Sequence, residues 1–187
     1  MTASPRWALL LVLLIAWPAL AQDRGTIGGA FSLVDQNGRT VTDRDFAARH
    51  TLLFFGYTFC PDVCPPSLQT MSEVLERLGT DAERVQPLFV TVDPERDTPE
   101  RMKEYLEHFD PRILGLGGPP AMIEAMAKAY RVKAVRRSLN PNDLAYLMDH
   151  TTSMMLVGPG GAFLDRFGYG LRAETIAERI RTALRSR

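Results

Sequence analysis

The sequence predicts an α/β domain on three observations. Two continuous apolar runs of strand length, TLLFFGY (Thr51–Tyr57) and VQPLFVTV (Val85–Val92), read as strands buried on both faces. Each is followed by a segment whose apolar residues recur at helical spacing. A hairpin pattern stands near each end of the chain, AFSLVDQNGRTVT and SMMLVGPGGAFLDRF. Strands that alternate with helices argue for an α/β domain, and the terminal hairpins add antiparallel strands.

The elements follow in order. In the first hairpin Phe31 and Leu33 alternate with polar neighbours, and Asn37-Gly38 is a turn signal. The Thr51–Tyr57 run is the central strand. From Ser67, residues Leu68, Met71, Val74, Leu75 and Leu78 mark a helix that Gly79 stops. After the second buried strand, DTPERMKEYLEHF starts a helix with Thr98 as cap and Pro99 in the first turn, burying Met102, Tyr105, Leu106 and Phe109. A third helix covers Pro120 to Tyr130. RAETIAERIRTALRS closes the chain as an amphipathic helix.

Composition bounds the function classes. With 187 residues, 45% hydrophobic and 24% charged, the chain is one ordinary globular domain. Its 22 basic and 22 acidic residues create no net field for nucleic acid or an anionic membrane. The N-terminus stands apart: Arg6, an apolar run from Trp7, then Ala19-Leu20-Ala21 describe a signal peptide over residues 1–21, leaving a domain of 22–187. The alternative is an uncleaved anchor that holds the protein at a membrane. The run contains Pro18 and is shorter than the roughly 20 residues of a comfortable span. Either outcome puts the domain in the periplasm or another extracytoplasmic space.

The only two cysteines lie in FFGYTFCPDVCPPS, four residues apart, between the central strand and the first long helix. A structural staple, a redox couple and a metal clamp are the three uses to weigh. An oxidising compartment permits a disulfide. Closing so small a loop adds little stability, however, and a domain of this size does not need it. A helix start favours anions, so a thiolate there is stabilised. Pro61 and Pro65 bias Cys60 and Cys64 away from helical dihedrals, and Pro66 suits a first helical turn. Both sulfurs are therefore expected on a stiff loop capping the helix, with Asp62 shaping it. Thiol exchange and metal binding both fit such a loop.

Four blocks in this order, CPDVCP after a strand, VTVDPERDTPE, YLEHFDPRILGLGG and MDHTTSMMLVGPGGAFL, resemble the Sco/SenC family of extracytoplasmic copper-binding proteins. The resemblance runs from about Gly28 to the end. It implies a thioredoxin-like fold carrying the N-terminal β-hairpin and the C-terminal β-hairpin plus helix, with copper held by Cys60, Cys64 and His150. It also implies a role in assembling the dinuclear copper centre of cytochrome c oxidase, as copper donor, as thiol-disulfide reductant of the oxidase cysteines through Cys60 and Cys64, or both. The implied partners are the oxidase copper-site subunit or another copper chaperone, and a thiol reductant. One departure is visible: Phe59 stands where family members commonly carry a histidine.

The residues agree on their own chemistry. Two thiolates and an imidazole form a soft set suited to Cu(I), and with one more ligand to Cu(II). Zinc competes, but a structural zinc site normally has four protein ligands. Of the three histidines, His108 reads as a surface residue of a helix and His50 sits at the far end of the central strand. His150 stands just before the last hairpin, a position resembling that of the cis-proline that packs on the cysteine loop in thioredoxin-like redox proteins. Met148, Met154 and Met155 are soft donors near it, although methionine at strand spacing is usually core filler. Asp149 is either a partner for the imidazole's second nitrogen or a solvated turn residue. Asp97 or Thr98 caps a helix. Against the copper chaperone stands a thiol-disulfide oxidoreductase, with a peroxidase as its variant.

Overall fold

The computed structural model describes residues 27–138 and 145–186. The signal-peptide reading falls on residues outside these. Among the described residues no helix is long and apolar enough to cross a membrane.

A seven-stranded mixed sheet forms the centre. Its strands are β1 (Ser32–Asp35), β2 (Thr40–Thr42), β3 (His50–Gly56), β4 (Val85–Thr91), β5 (Leu114–Gly117), β8 (Met154–Val157) and β9 (Phe163–Phe167), in the order β2-β1-β5-β4-β3-β8-β9. Strands β3, β4 and β5 are parallel, and antiparallel pairs extend both sides. The first hairpin closes through Gly38 at φ 78°, while the Asp35 carboxylate accepts the N–H groups of Asn37 and Arg39 at 2.9 Å each.

All seven residues of β3 are buried, as a strand covered on both faces requires. Successive rings go to opposite sides: Phe54 lies 6.3 Å from Phe89 and 6.2 Å from the His150 ring, whereas Phe55 lies 5.9 Å from Tyr130. Helix α1 (Cys64–Leu78) buries Leu68, Met71, Val74, Leu75 and Leu78 and packs beside the closing helix α4 (Ala173–Arg185). In α2 (Pro99–Leu106) Thr98 is the cap, its hydroxyl accepting the Arg101 N–H at 3.3 Å. Met102 and Leu106 are buried there, while Tyr105 and Phe109 are half-buried. Helix α3 (Pro120–Ala129) follows β5.

Two features depart from the sequence reading. A separate hairpin of β6 (Ala134–Ser138) and β7 (Tyr146–His150) precedes the last one, and His150 ends it. Every residue of β6 is exposed, so it carries no apolar alternation. The second concerns Cys64, which opens α1 and is not on the loop before it. Pro65 and Pro66 occupy the first turn, where amide N–H groups have no intrahelical acceptor, so the missing donors do no harm. The first ladder bond, Ser67 N–H to the Val63 carbonyl at 3.2 Å, forms directly after them.

Candidate metal centre

The end of β3, the loop after it, the first turn of α1 and the end of β7 converge. The sulfurs of Cys60 and Cys64 and a ring nitrogen of His150 all lie within 4.8 Å of one another. Nε2 of His150 is 3.5 Å from Sγ of Cys64, although 86 residues separate them in sequence. Both cysteines are buried free thiols and His150 is half-buried.

The imidazole is oriented from three sides. Its Nδ1–H donates to the Thr151 carbonyl at 3.0 Å, which leaves the Nε2 lone pair facing the sulfurs. The Tyr57 ring meets it edge-on at 5.7 Å and 86°, and Phe54 does so at 6.2 Å and 67°. The backbone N–H of Met148 reaches the Tyr57 hydroxyl, tying β7 to the end of β3.

The two thiols are inequivalent. The Cys64 thiol donates to the Cys60 sulfur, and this is the main reason the Cys60 pKa lies far below the ordinary thiol range. Burial opposes the shift, while the N–H groups of Asp62 and Cys64 add to it. Cys64 is pushed strongly upward by the same bond and by burial. Cys60 is thus the thiolate and Cys64 the proton-bearing partner, an asymmetry set by their shared proton and by the deeper burial of Cys64. Two soft sulfurs and one unprotonated imidazole nitrogen can hold a single soft cation, and an attacking thiolate beside a second thiol can exchange disulfides.

The other candidates sort differently. Asp149 is exposed and pairs with Arg137 at 2.8 Å, so it does not hold the imidazole; the Thr151 carbonyl does. Met154 and Met155 are buried on β8 opposite Phe54 and Leu53, and Met148 packs against the core. His108 is exposed, and His50 is buried at the opposite end of β3. Asp97 is more than a residue before a cap. Its carboxylate accepts the Thr58 N–H at 3.1 Å and the hydroxyls of Thr58 and Thr91 at 2.6 Å each, anchoring the start of the cysteine loop to the end of β4. The signal for it, a second polar residue next to Thr98 in RDT, is indistinguishable in sequence from ordinary capping.

The fold and site define a class: a thioredoxin-like domain with a dithiol–imidazole cluster at the strand-to-helix junction. Residues 20–185 match the SCO1/SenC family model, and the chain belongs to that family. It is 40% identical to Protein sco1 of Schizosaccharomyces pombe over 159 residues, covering 84% of this chain and 60% of that protein. It is 39% identical to Protein SenC of Rhodobacter capsulatus over 154 residues, covering 82% and 69%. The structure of Bradyrhizobium japonicum ScoI with copper bound superposes with a TM-score of 0.77 at 47% identity, over 83% of this chain and 98% of that one. The chain thus spans only part of the length of its curated relatives, 60% for the first of them.

Proposed function

We propose that the protein is an extracytoplasmic copper metallochaperone that carries one copper ion on Cys60, Cys64 and His150 and serves the dinuclear copper centre of cytochrome c oxidase. One observation carries the reading: three soft donor atoms within 4.8 Å of one another, two from the cysteine segment and one from His150, 86 residues beyond Cys64. The copper-bound ScoI relative supports it. Residues 1–21 act as the export signal and 22–187 as the copper-binding domain. Copper is cargo here. Three protein donors leave a coordination position open, so an acceptor's ligand can enter before the chaperone's ligands leave.

The unequal thiols favour a second activity of the same site, reduction of the acceptor's cysteines. The Cys60 thiolate attacks a disulfide sulfur in the partner, forming a mixed disulfide and displacing one partner thiolate. Cys64 then loses its proton to a departing thiolate and attacks Cys60. The second partner thiolate leaves as that bond forms and takes a proton from water, so the partner departs as a dithiol, and the Cys60–Cys64 disulfide holds the oxidising equivalents until a thiol reductant returns two electrons.

Copper titration of the reduced protein beside His150→Ala tests the reading. One ion per chain, with Cu(II)–thiolate charge-transfer bands that weaken in the variant, is the expected result. Absence of stoichiometric copper, or binding indifferent to His150, would leave only the dithiol activity.

A further inference from the structure

A single guanidinium touches both segments that carry the cluster. Arg96, in the loop between β4 and α2, has its guanidinium carbon 3.6 Å from the centroid of the Tyr146 ring, 4.7 Å from that of Phe59 and 5.7 Å from that of Tyr57. Phe59 immediately precedes Cys60, Tyr57 packs edge-on against His150, and Tyr146 opens the strand that His150 ends. Arg136 lies 3.7 Å from the Tyr146 centroid. Two cations that close to one ring must occupy opposite faces, so Tyr146 is sandwiched.

Arg96 is also locked in place. Its Nε–H donates to Asp93 at 2.5 Å and an Nη1–H to the Tyr146 carbonyl at 3.1 Å, while the Tyr146 hydroxyl donates to the other oxygen of the same Asp93 carboxylate at 2.7 Å. Among the described residues its Nη2 is enclosed without an acceptor. An enclosed N–H group left unbonded is costly; it is kept here among aromatic rings, the arrangement of a planar cation used for stacking. We propose that Arg96 is a positioning residue that holds the cysteine loop and the His150 strand in register through Phe59 and Tyr146, so that the three donor atoms are gathered before copper arrives. Preorganisation of this kind removes an ordering cost from binding. The copper half of the proposal rests on the functional reading above; the ordering of the metal-free protein does not.

The test uses Arg96→Leu, Arg96→Lys and Phe59→Leu with two readouts. In the metal-free protein, amide hydrogen exchange across Tyr57–Cys60 and Tyr146–His150 rises by about tenfold in Arg96→Leu while β3 and β4 stay protected, as local loosening demands. Copper affinity falls by roughly 10- to 100-fold, the usual scale for groups that orient ligands. Arg96→Lys behaves like Arg96→Leu, because a point charge cannot stack as a plane does, and Phe59→Leu shows a smaller loss. Combined with His150→Ala, Arg96→Leu costs less than the sum of the two, since it acts through His150. Strictly additive costs, exchange that rises equally in β3 and β4, or affinity within twofold of wild type would each overturn the assignment. If the wild-type protein took up no copper, the functional reading would fail, and hydrogen exchange alone would decide the role of Arg96.

Discussion

Nε2 of His150 faces Sγ of Cys64 at 3.5 Å, and the Thr151 carbonyl at 3.0 Å from Nδ1 fixes which nitrogen does so. The sulfur sits at the first residue of α1 and the imidazole at the last residue of β7. Their meeting depends on β8, which pairs with β3 and returns the chain to the end of the central strand. Copper affinity is therefore a property of the folded domain and not of the C-x-x-x-C segment alone. A peptide of residues 54–67 is expected to bind copper at least about 100-fold more weakly than the intact protein, because it lacks the imidazole and the ordered loop. Competition against a common copper chelator measures the difference.

The unequal thiols make a pH prediction. Cys60 is depressed, chiefly by the bond from the Cys64 thiol, so its thiolate persists as pH falls. For an ordinary thiol with pKa near 8.5, the thiolate fraction drops by nearly two orders of magnitude from about pH 8 to 6. Alkylation of Cys60 in the metal-free protein is expected to change by less than about threefold over that range, and Cys64 to react far more slowly at every pH. Mass spectrometry of the singly modified protein reads both. A steep, equal pH dependence at the two cysteines would contradict the assignment.

Parts of this site were legible in sequence for physical reasons, and others were not. A strand buried on both faces must be apolar throughout, so β3 and β4 announce themselves, and the cysteines between β3 and a helical pattern take their place from them. The imidazole is different: nothing local marks His150 as a neighbour of Cys64, and the family resemblance alone paired them. The β6–β7 hairpin stayed hidden because β6 buries nothing. Cys64 joins the helix against the restriction that Pro65 imposes on it, because Pro65 and Pro66 both suit a first helical turn. The sequence neighbours of Asp97 suggest only a cap, while its partners, Thr58 and Thr91, lie across the sheet end.

Gly56 is expected to be intolerant of a methyl group. A Cβ built there would lie 2.9 Å from Cys64 Sγ and 2.8 Å from a ring carbon of Phe89. Both neighbours are buried, and neither can withdraw into solvent. Gly56→Ala should destabilise the fold by roughly 1–3 kcal/mol, the usual scale of overpacking, and should weaken copper binding by displacing one sulfur. Urea denaturation and copper titration measure the two effects separately. A variant of full stability and affinity would mean that the Cys64 side chain is free to shift.

Asp97→Ala should cost more than its position at a helix start suggests. The substitution leaves the Thr91 hydroxyl and the Thr58 N–H without their acceptor at the root of the cysteine loop. Unsatisfied groups of this kind cost about 1–3 kcal/mol each when buried, so a loss of roughly 2–4 kcal/mol is expected by urea denaturation. Asp97→Asn keeps an acceptor oxygen and should lose less. Burial raises the Asp97 carboxyl above its ordinary value, which fixes the sign of the pH dependence. A group whose folded pKa is raised contributes most below its unfolded pKa and loses that contribution as pH rises through the folded one. The stability difference between wild type and Asp97→Asn should therefore shift toward the wild type as pH falls from neutrality toward about 4. A difference independent of pH would show that the carboxylate is held charged by its three hydrogen bonds.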